Sequence, residues 1–145
     1  ESVFTVIEAS HTSDLDTVSA IGDGKEPRWS SGKDVPRWTS RPQLGKKQWV
    51  EGRFSKPRKV RSVGVYWMQD QQDVKFPKEW SLEVRSGKEW KPFELYVTDR
   101  YDNRANQYNV VHPAAPLTCD AIRIHMTPNE NSALGILEVQ VAFEE

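Results

Sequence analysis

The chain has 145 residues, with 20 Lys and Arg against 21 Asp and Glu, 37% hydrophobic and 28% charged residues. That is one domain's worth of sequence, able to bury about two-thirds of its unfolded surface around a single core, and no apolar run is long enough to span a membrane. The lone Cys119 excludes an internal disulfide and a multi-cysteine zinc site, while six Trp, nine Pro and eight Gly point to an all-β domain rather than disorder.

Phe4–Ser10 reads as a first strand. The segment Asp14–Ile21 is the one helix candidate, with Ser13 or Asp14 able to cap it and Gly22 to stop it. In Lys47–Phe54, Val50, Gly52 and Phe54 share one face and Trp49, Glu51 and Arg53 the other; Pro57 then breaks the run, because proline cannot donate to a ladder. Val60–Trp67 follows as a strand with Val63, Val65 and Trp67 on one side, then a loop over Met68–Lys78. Trp80–Arg85 and Trp90–Val97 flank a hairpin connection at Ser86-Gly87-Lys88. After a polar loop, 98–106, come strands at Tyr108–His112, Ala121–Met126 and Leu137–Phe143. The pattern predicts one all-β domain over 1–145, a jelly-roll β-sandwich of about eight antiparallel strands. The first connection, about 35 residues, is long enough to suggest a functional loop.

Charge is unevenly spread. Residues 25–61 hold twelve Lys and Arg against three acids, a net +9, so the remainder carries −10. Such a segment suits an anionic partner, or is a solvated surface matched by acids elsewhere in the fold. No nucleophile elbow, phosphate-cradling glycine loop or His-Glu-x-x-His helix occurs, His11, His112 and His125 are scattered, and Cys119 has no evident His partner. The expectation is therefore a non-catalytic domain. The basic residues sit in loops and around prolines without a recognised motif, so no nucleic-acid partner is expected. The chain does not open on a charged segment followed by an apolar one, so no signal peptide is expected within it.

Ala9-Ser10-His11, Ala20-Ile21-Gly22-Asp23-Gly24 and Gln48-Trp49-Val50-Glu51-Gly52-Arg53-Phe54 resemble the opening of the discoidin, or coagulation factor 5/8 type C, domain. Pro77–Leu82, Gly87–Trp90 and Ala121–Ile124 resemble its middle and end, so the likeness runs over nearly the whole chain. Val65-Tyr66-Trp67, Pro77–Trp80 and Ser132–Glu138 are similar to one subgroup, the galactose-binding-like modules appended to bacterial secreted glycoside hydrolases, including family 127-like enzymes. The resemblance implies a sandwich related to carbohydrate-binding module family 32. It further implies a non-catalytic accessory role in a larger secreted, periplasmic or cell-surface enzyme, with a glycan and the catalytic domain of the same polypeptide as partners.

It also implies a structural calcium ion. The matching residues are Asp23 in the Asp-Gly turn and Glu138 on the last strand, with Ala20 and Lys25 as carbonyl donors. Arg28 stands where the family pattern has a ligating Thr, and arginine cannot ligate a cation. The other reading is that Asp23 caps its turn and Glu138 pairs with a basic neighbour.

Sugar recognition on such a frame needs an aromatic face and planar hydrogen-bonding groups held on loops. Trp38 or Tyr101 would stack, while Arg37, Arg41, Asp70 and Asn103 would meet hydroxyls if their loops gather at one end. Trp49, Trp67, Trp80 and Trp90 lie on strands and are assigned to the core, and Trp29 and Trp38 are open to either role, since a tryptophan in a long loop can also pin that loop to the body. Two further readings stay open: a structural domain that packs on its catalytic partner, and a binder of acidic polysaccharide or phospholipid motivated by the +9 segment.

Overall fold

A computed structural model describes residues 2–144 as eight strands and one 3-10 turn. The strands are β1 (Val6–Ala9), β2 (Trp38–Thr39), β3 (Gln48–Trp67), β4 (Glu79–Ser86), β5 (Glu89–Pro92), β6 (Tyr108–Val111), β7 (Leu117–Thr127) and β8 (Gly135–Phe143). All strand pairs are antiparallel, in the order β2-β8-β3-β7-β4-β5, with β1 and β6 also on β3. The fold is all-β with eight antiparallel strands, as expected from the alternation, but its ladder is continuous: one sheet folds over itself rather than two separate sheets stacking. Among the described residues no helix is long and apolar enough to cross a membrane.

The fold-over is made by β3. Its first half pairs with β1 and β7, its second with β6 and β8, so the two strands expected on either side of Pro57 are one. Between Arg53↔Ala121 and Arg58↔Cys119 five steps on β3 answer two on β7. The looped-out residues include Pro57, whose missing N–H thus falls where the ladder is already interrupted. The helix expected over Asp14–Ile21 is only a 3-10 turn, Val18–Gly22, whose Thr17 N-cap makes no side-chain capping bond.

The inward residues of the two layers meet across the core. Trp67 from β3 stands edge-on to Trp80 from β4, with centroids 5.3 Å apart, and Phe4 stacks on Phe54 at 5.6 Å. Gly52 gives Phe4 its place: a Cβ there would lie 2.4 Å from the Phe4 ring. Trp49 and Trp90 are not core, contrary to their assignment. Trp49 shares parity with Glu51 and Arg53 and is only partly buried on the outer face; Arg123 lies 4.0 Å over Trp90 and 5.3 Å over Trp49. Alternation along a strand sends every second residue outward, whatever its size.

Candidate functional site

At the end of the fold where β3 runs into the 68–78 loop, three connections come together. Gln69 N–H donates to the Ser30 carbonyl (3.0 Å), Met68 N–H to Gly135 (2.9 Å) and Ser40 N–H to Leu134 (2.9 Å). Between them opens a cleft of about 560 Å³, lined by Lys33, Arg37, Arg41, Met68, Asp70 and Gln71 among others.

Arg41 is the hub of this cleft. Its Nη2 pairs with Asp70 Oδ2, and its Nε donates to Asp73 Oδ1 at 2.7 Å. Asp70 Oδ1 accepts from the amides of Gln72 (2.9 Å) and Val74 (3.0 Å), the local turn that its side chain favours. Burial pushes the Asp70 carboxyl up, but those amides and the Arg41 charge outweigh it and hold the group below its ordinary value. Arg37 pins the other wall, donating to the carbonyls of Gly32 (2.7 Å) and Val35 (3.0 Å). Both guanidinium groups are fixed by the protein, so the cleft presents charged and planar groups in a set arrangement.

The structure thus brings Arg37, Arg41 and Asp70 together and leaves the other expected sugar contacts apart. Trp38 is 0% exposed: β2 pairs it with Ile136, and its Nε1–H donates to the His11 carbonyl at 2.9 Å. It supports the cleft from beneath and has no ring face for a ligand. Tyr101 packs against Trp80 at 4.7 Å, and its hydroxyl accepts from Leu82 N–H and donates to the Phe93 carbonyl, so it holds a loop to the core. Asn103 donates to the Pro77 carbonyl at 2.7 Å and is outside the cleft. The exposed aromatic of this region is Trp29, 59% exposed, at the start of the turn whose Gly32 carbonyl holds Arg37. The signal for it was a tryptophan in a segment without strand alternation; Gln71, Gln72 and Lys33 gave no such signal.

A second group of residues lies on the outer face of the β8-β3-β6 layer, in a groove of about 340 Å³ lined by Gly22, Gly24, Glu26, Gly64, Glu138 and Gln140 among others. Gly24 N–H donates to Glu138 Oε2 at 3.0 Å, and Lys25 N–H to Asp23 Oδ1 at 2.9 Å, so both carboxyls organise the Asp-Gly turn. Glu138 is 4% exposed, and its Oε1 is buried without a hydrogen-bond partner. Burial first, then the Asp23 carboxyl beside it, through hydrogen bonding and charge, and the charge of Glu26 push its pKa up to about 8 against the opposing Gly24 amide. No basic neighbour pairs with Glu138 among the described residues. The Ala20 carbonyl accepts weakly from Asp23 N–H at 3.4 Å, and Lys25 and Arg28 are exposed. Among the described residues no three His, Cys, Asp or Glu side chains are grouped to hold a metal by themselves, so an ion here would need backbone carbonyls as well.

Among the described residues the three histidines are held by partners elsewhere in the fold. His11 Nε2–H donates to the Arg41 carbonyl, while His112 pairs with Asp99 and His125 with Glu83. Cys119, expected in a turn, is buried in β7, where burial above all pushes its thiol up to about 11, away from a reactive thiolate.

Among curated proteins none matches the chain by sequence. The fold is similar to a structure of the Streptococcus pneumoniae β-galactosidase BgaA, at 21% identity and TM-score 0.78, covering 97% of this chain and 92% of that one. It is similar to the family 32 carbohydrate-binding module of Clostridium perfringens NanJ in complex with galactose, at 15% identity and TM-score 0.70, covering 94% and 91%. A further likeness is to a family 32 module, also from Clostridium perfringens, in complex with GalNAc-β-1,3-galactose, at 9% identity and TM-score 0.71, covering 94% and 93%. The family model for the F5/8 type C domain matches residues 6–139, and the chain belongs to that family.

Proposed function

We propose that this domain is a non-catalytic carbohydrate-binding module that targets a glycoside hydrolase, outside the cytoplasm, to its glycan. The observation that carries the reading is the convergence of Arg37, Arg41 and Asp70 on one loop-end cleft of about 560 Å³. Fixed guanidinium and carboxylate groups suit the paired donors and acceptors of sugar hydroxyls. Exposed Trp29 stands beside that wall as an apolar face for a ring. The structural neighbours include modules solved with galactose and with GalNAc-β-1,3-galactose, which makes galactose- and GalNAc-containing glycans the first ligands to try.

The test is affinity electrophoresis and calorimetry on the purified domain with galactose-terminated and other neutral glycans. Lys33→Ala and Gln71→Ala line the cleft without holding a loop, so they should weaken binding and leave Tm unchanged. No retention by any glycan would favour the structural role, a domain packed on its catalytic partner.

A calcium ion held by Asp23 and Glu138, with the Ala20 and Lys25 carbonyls, is part of the same proposal. The orphaned Glu138 Oε1 supports it, since a buried carboxylate oxygen without a donor is the chemistry a hard cation satisfies. A second reading has its own observation: Leu44 is 44% exposed, between Arg41 and the Lys46-Lys47 pair of the basic segment. An apolar tip beside cations suits an anionic lipid surface, for which vesicle binding should fall steeply with added salt.

A further inference from the structure

A second cleft, of about 440 Å³, lies away from the loop end, between the 96–99 segment and the 112–116 segment; Arg61, Tyr96, Asp99, His112, Pro113 and Pro116 line it. Its walls are tied together. Tyr96 N–H donates to the His112 carbonyl (2.9 Å), Ala114 N–H to Glu94 (2.8 Å), and Leu95 bridges Pro113. Asp99 accepts from both the His112 amide (2.5 Å) and the His112 Nδ1 (3.0 Å).

That pairing fixes the imidazole. A carboxylate only accepts, so Nδ1 carries the proton and Nε2 is left to a ligand. Tyr96 is 49% exposed, a half-open ring beside two prolines. Arg61 is exposed and makes no ion pair among the described residues. The cleft therefore offers an apolar ring face, an oriented imidazole for a hydroxyl and, in Arg61, a guanidinium with no ion-pair partner, its one carboxylate, Asp99, being held by His112.

We propose that this cleft is a second glycan site, selective for a carboxylated sugar. The ring face of a uronate stacks on Tyr96, its carboxylate takes the Arg61 fork, and a hydroxyl meets His112 Nε2. Arg61 and Met68, which line the two clefts, are seven residues apart along extended chain, about 23 Å at about 3.3 Å per residue. One chain could thus engage two units of an acidic polysaccharide at once, with the gain in avidity that linkage gives.

The test is a titration of the ¹⁵N-labelled domain with trigalacturonate, read residue by residue by NMR. The expected result is saturable shifts at Arg61, Tyr96, Thr98 and His112, lost in Tyr96→Ala, kept in Tyr96→Phe and at least tenfold weaker in Arg61→Gln. Tyr96 and Arg61 are exposed, so folding of the variants is checked by an unchanged Tm. Shifts confined to Arg37, Arg41 and Asp70 would overturn this site and leave the loop-end reading standing. Shifts at Arg61 and His112 that persist undiminished in Tyr96→Ala would overturn it as well. Saturation at Tyr96 with no glycan of any kind at the loop end would support it and count against the loop-end reading.

Discussion

Arg41 and Asp70 meet across two loops, Nη2 against Oδ2, while the same guanidinium reaches Asp73 through Nε. One side chain from the first connection thereby fixes the shape of the 70–74 turn. Arg41→Lys keeps the charge and loses the planar fork. The pair is partly exposed, so the expected cost in stability is small, about 1 kcal/mol. Binding should suffer more, because the cleft wall loses its set position. Denaturant melts and glycan titrations on the same variant separate the two effects; equal losses in both would show that the fork does not shape the site.

The two loop tryptophans should part company. Trp38→Ala empties a fully buried site and breaks a bond to the His11 carbonyl, at an expected cost of about 3–5 kcal/mol. Trp29→Ala touches a ring that is 59% exposed and should leave Tm within the error of the melt. If Trp29 is the stacking face, glycan binding falls roughly tenfold, or about 1.4 kcal/mol. Unchanged binding in Trp29→Ala would remove it from the site.

These outcomes show what the sequence made legible. Alternation assigned Val50, Gly52 and Phe54 to one face and Trp49, Glu51 and Arg53 to the other, and the structure keeps that parity. The same alternation put Trp49 outside; its size argued for the core and was overruled by its register opposite His125. The continuity of β3 was hidden because Pro57 reads locally as a stop, and only the bulge against β7 accommodates it. Trp38 takes the core role of the two open to it for a related reason: its burial depends on pairing with Ile136, a partner that no local pattern announces. Arg37, Arg41 and Asp70 are legible as charged, planar groups on the two long loops, but no local pattern separates them from the other charges there, because the Arg41–Asp70 pair and the Arg37 bonds to Gly32 and Val35 depend on how those loops fold.

On the outer face, Glu51 tests how a buried charge is held. It is 3% exposed and accepts from Arg123 (2.7 and 2.9 Å) and from Arg53 (2.9 Å). Burial pushes its carboxyl up, and the two guanidinium groups outweigh that and hold it below its ordinary 4.5. A depressed carboxylate contributes stability that is present above the ordinary pKa and lost as pH falls through the folded value. Arg123→Met should therefore cost about 3 kcal/mol at neutral pH, with the gap to wild type narrowing in acid. A gap that does not change with pH would assign the loss to the Trp90 contact instead.

Glu138 has the opposite sign. Its pKa is 4.5 when unperturbed and about 8 in the fold, so between those values the folded state holds a proton that the unfolded chain has lost. Stability of the metal-free protein must then fall as pH rises through that window, and the penalty is complete above it. Glu138→Gln removes the titration, so in EDTA its Tm should vary less with pH and exceed that of wild type by the equivalent of about 2 kcal/mol at the alkaline end. Calcium should reverse the order. With the ion bound, the wild-type carboxylate is ionised and paid for by coordination, Tm rises, and protons are released on binding. The glutamine variant offers one neutral oxygen and should respond weakly. Parallel pH profiles in EDTA would sink the buried-carboxyl argument, and an equal calcium response in both proteins would move any ion away from Glu138.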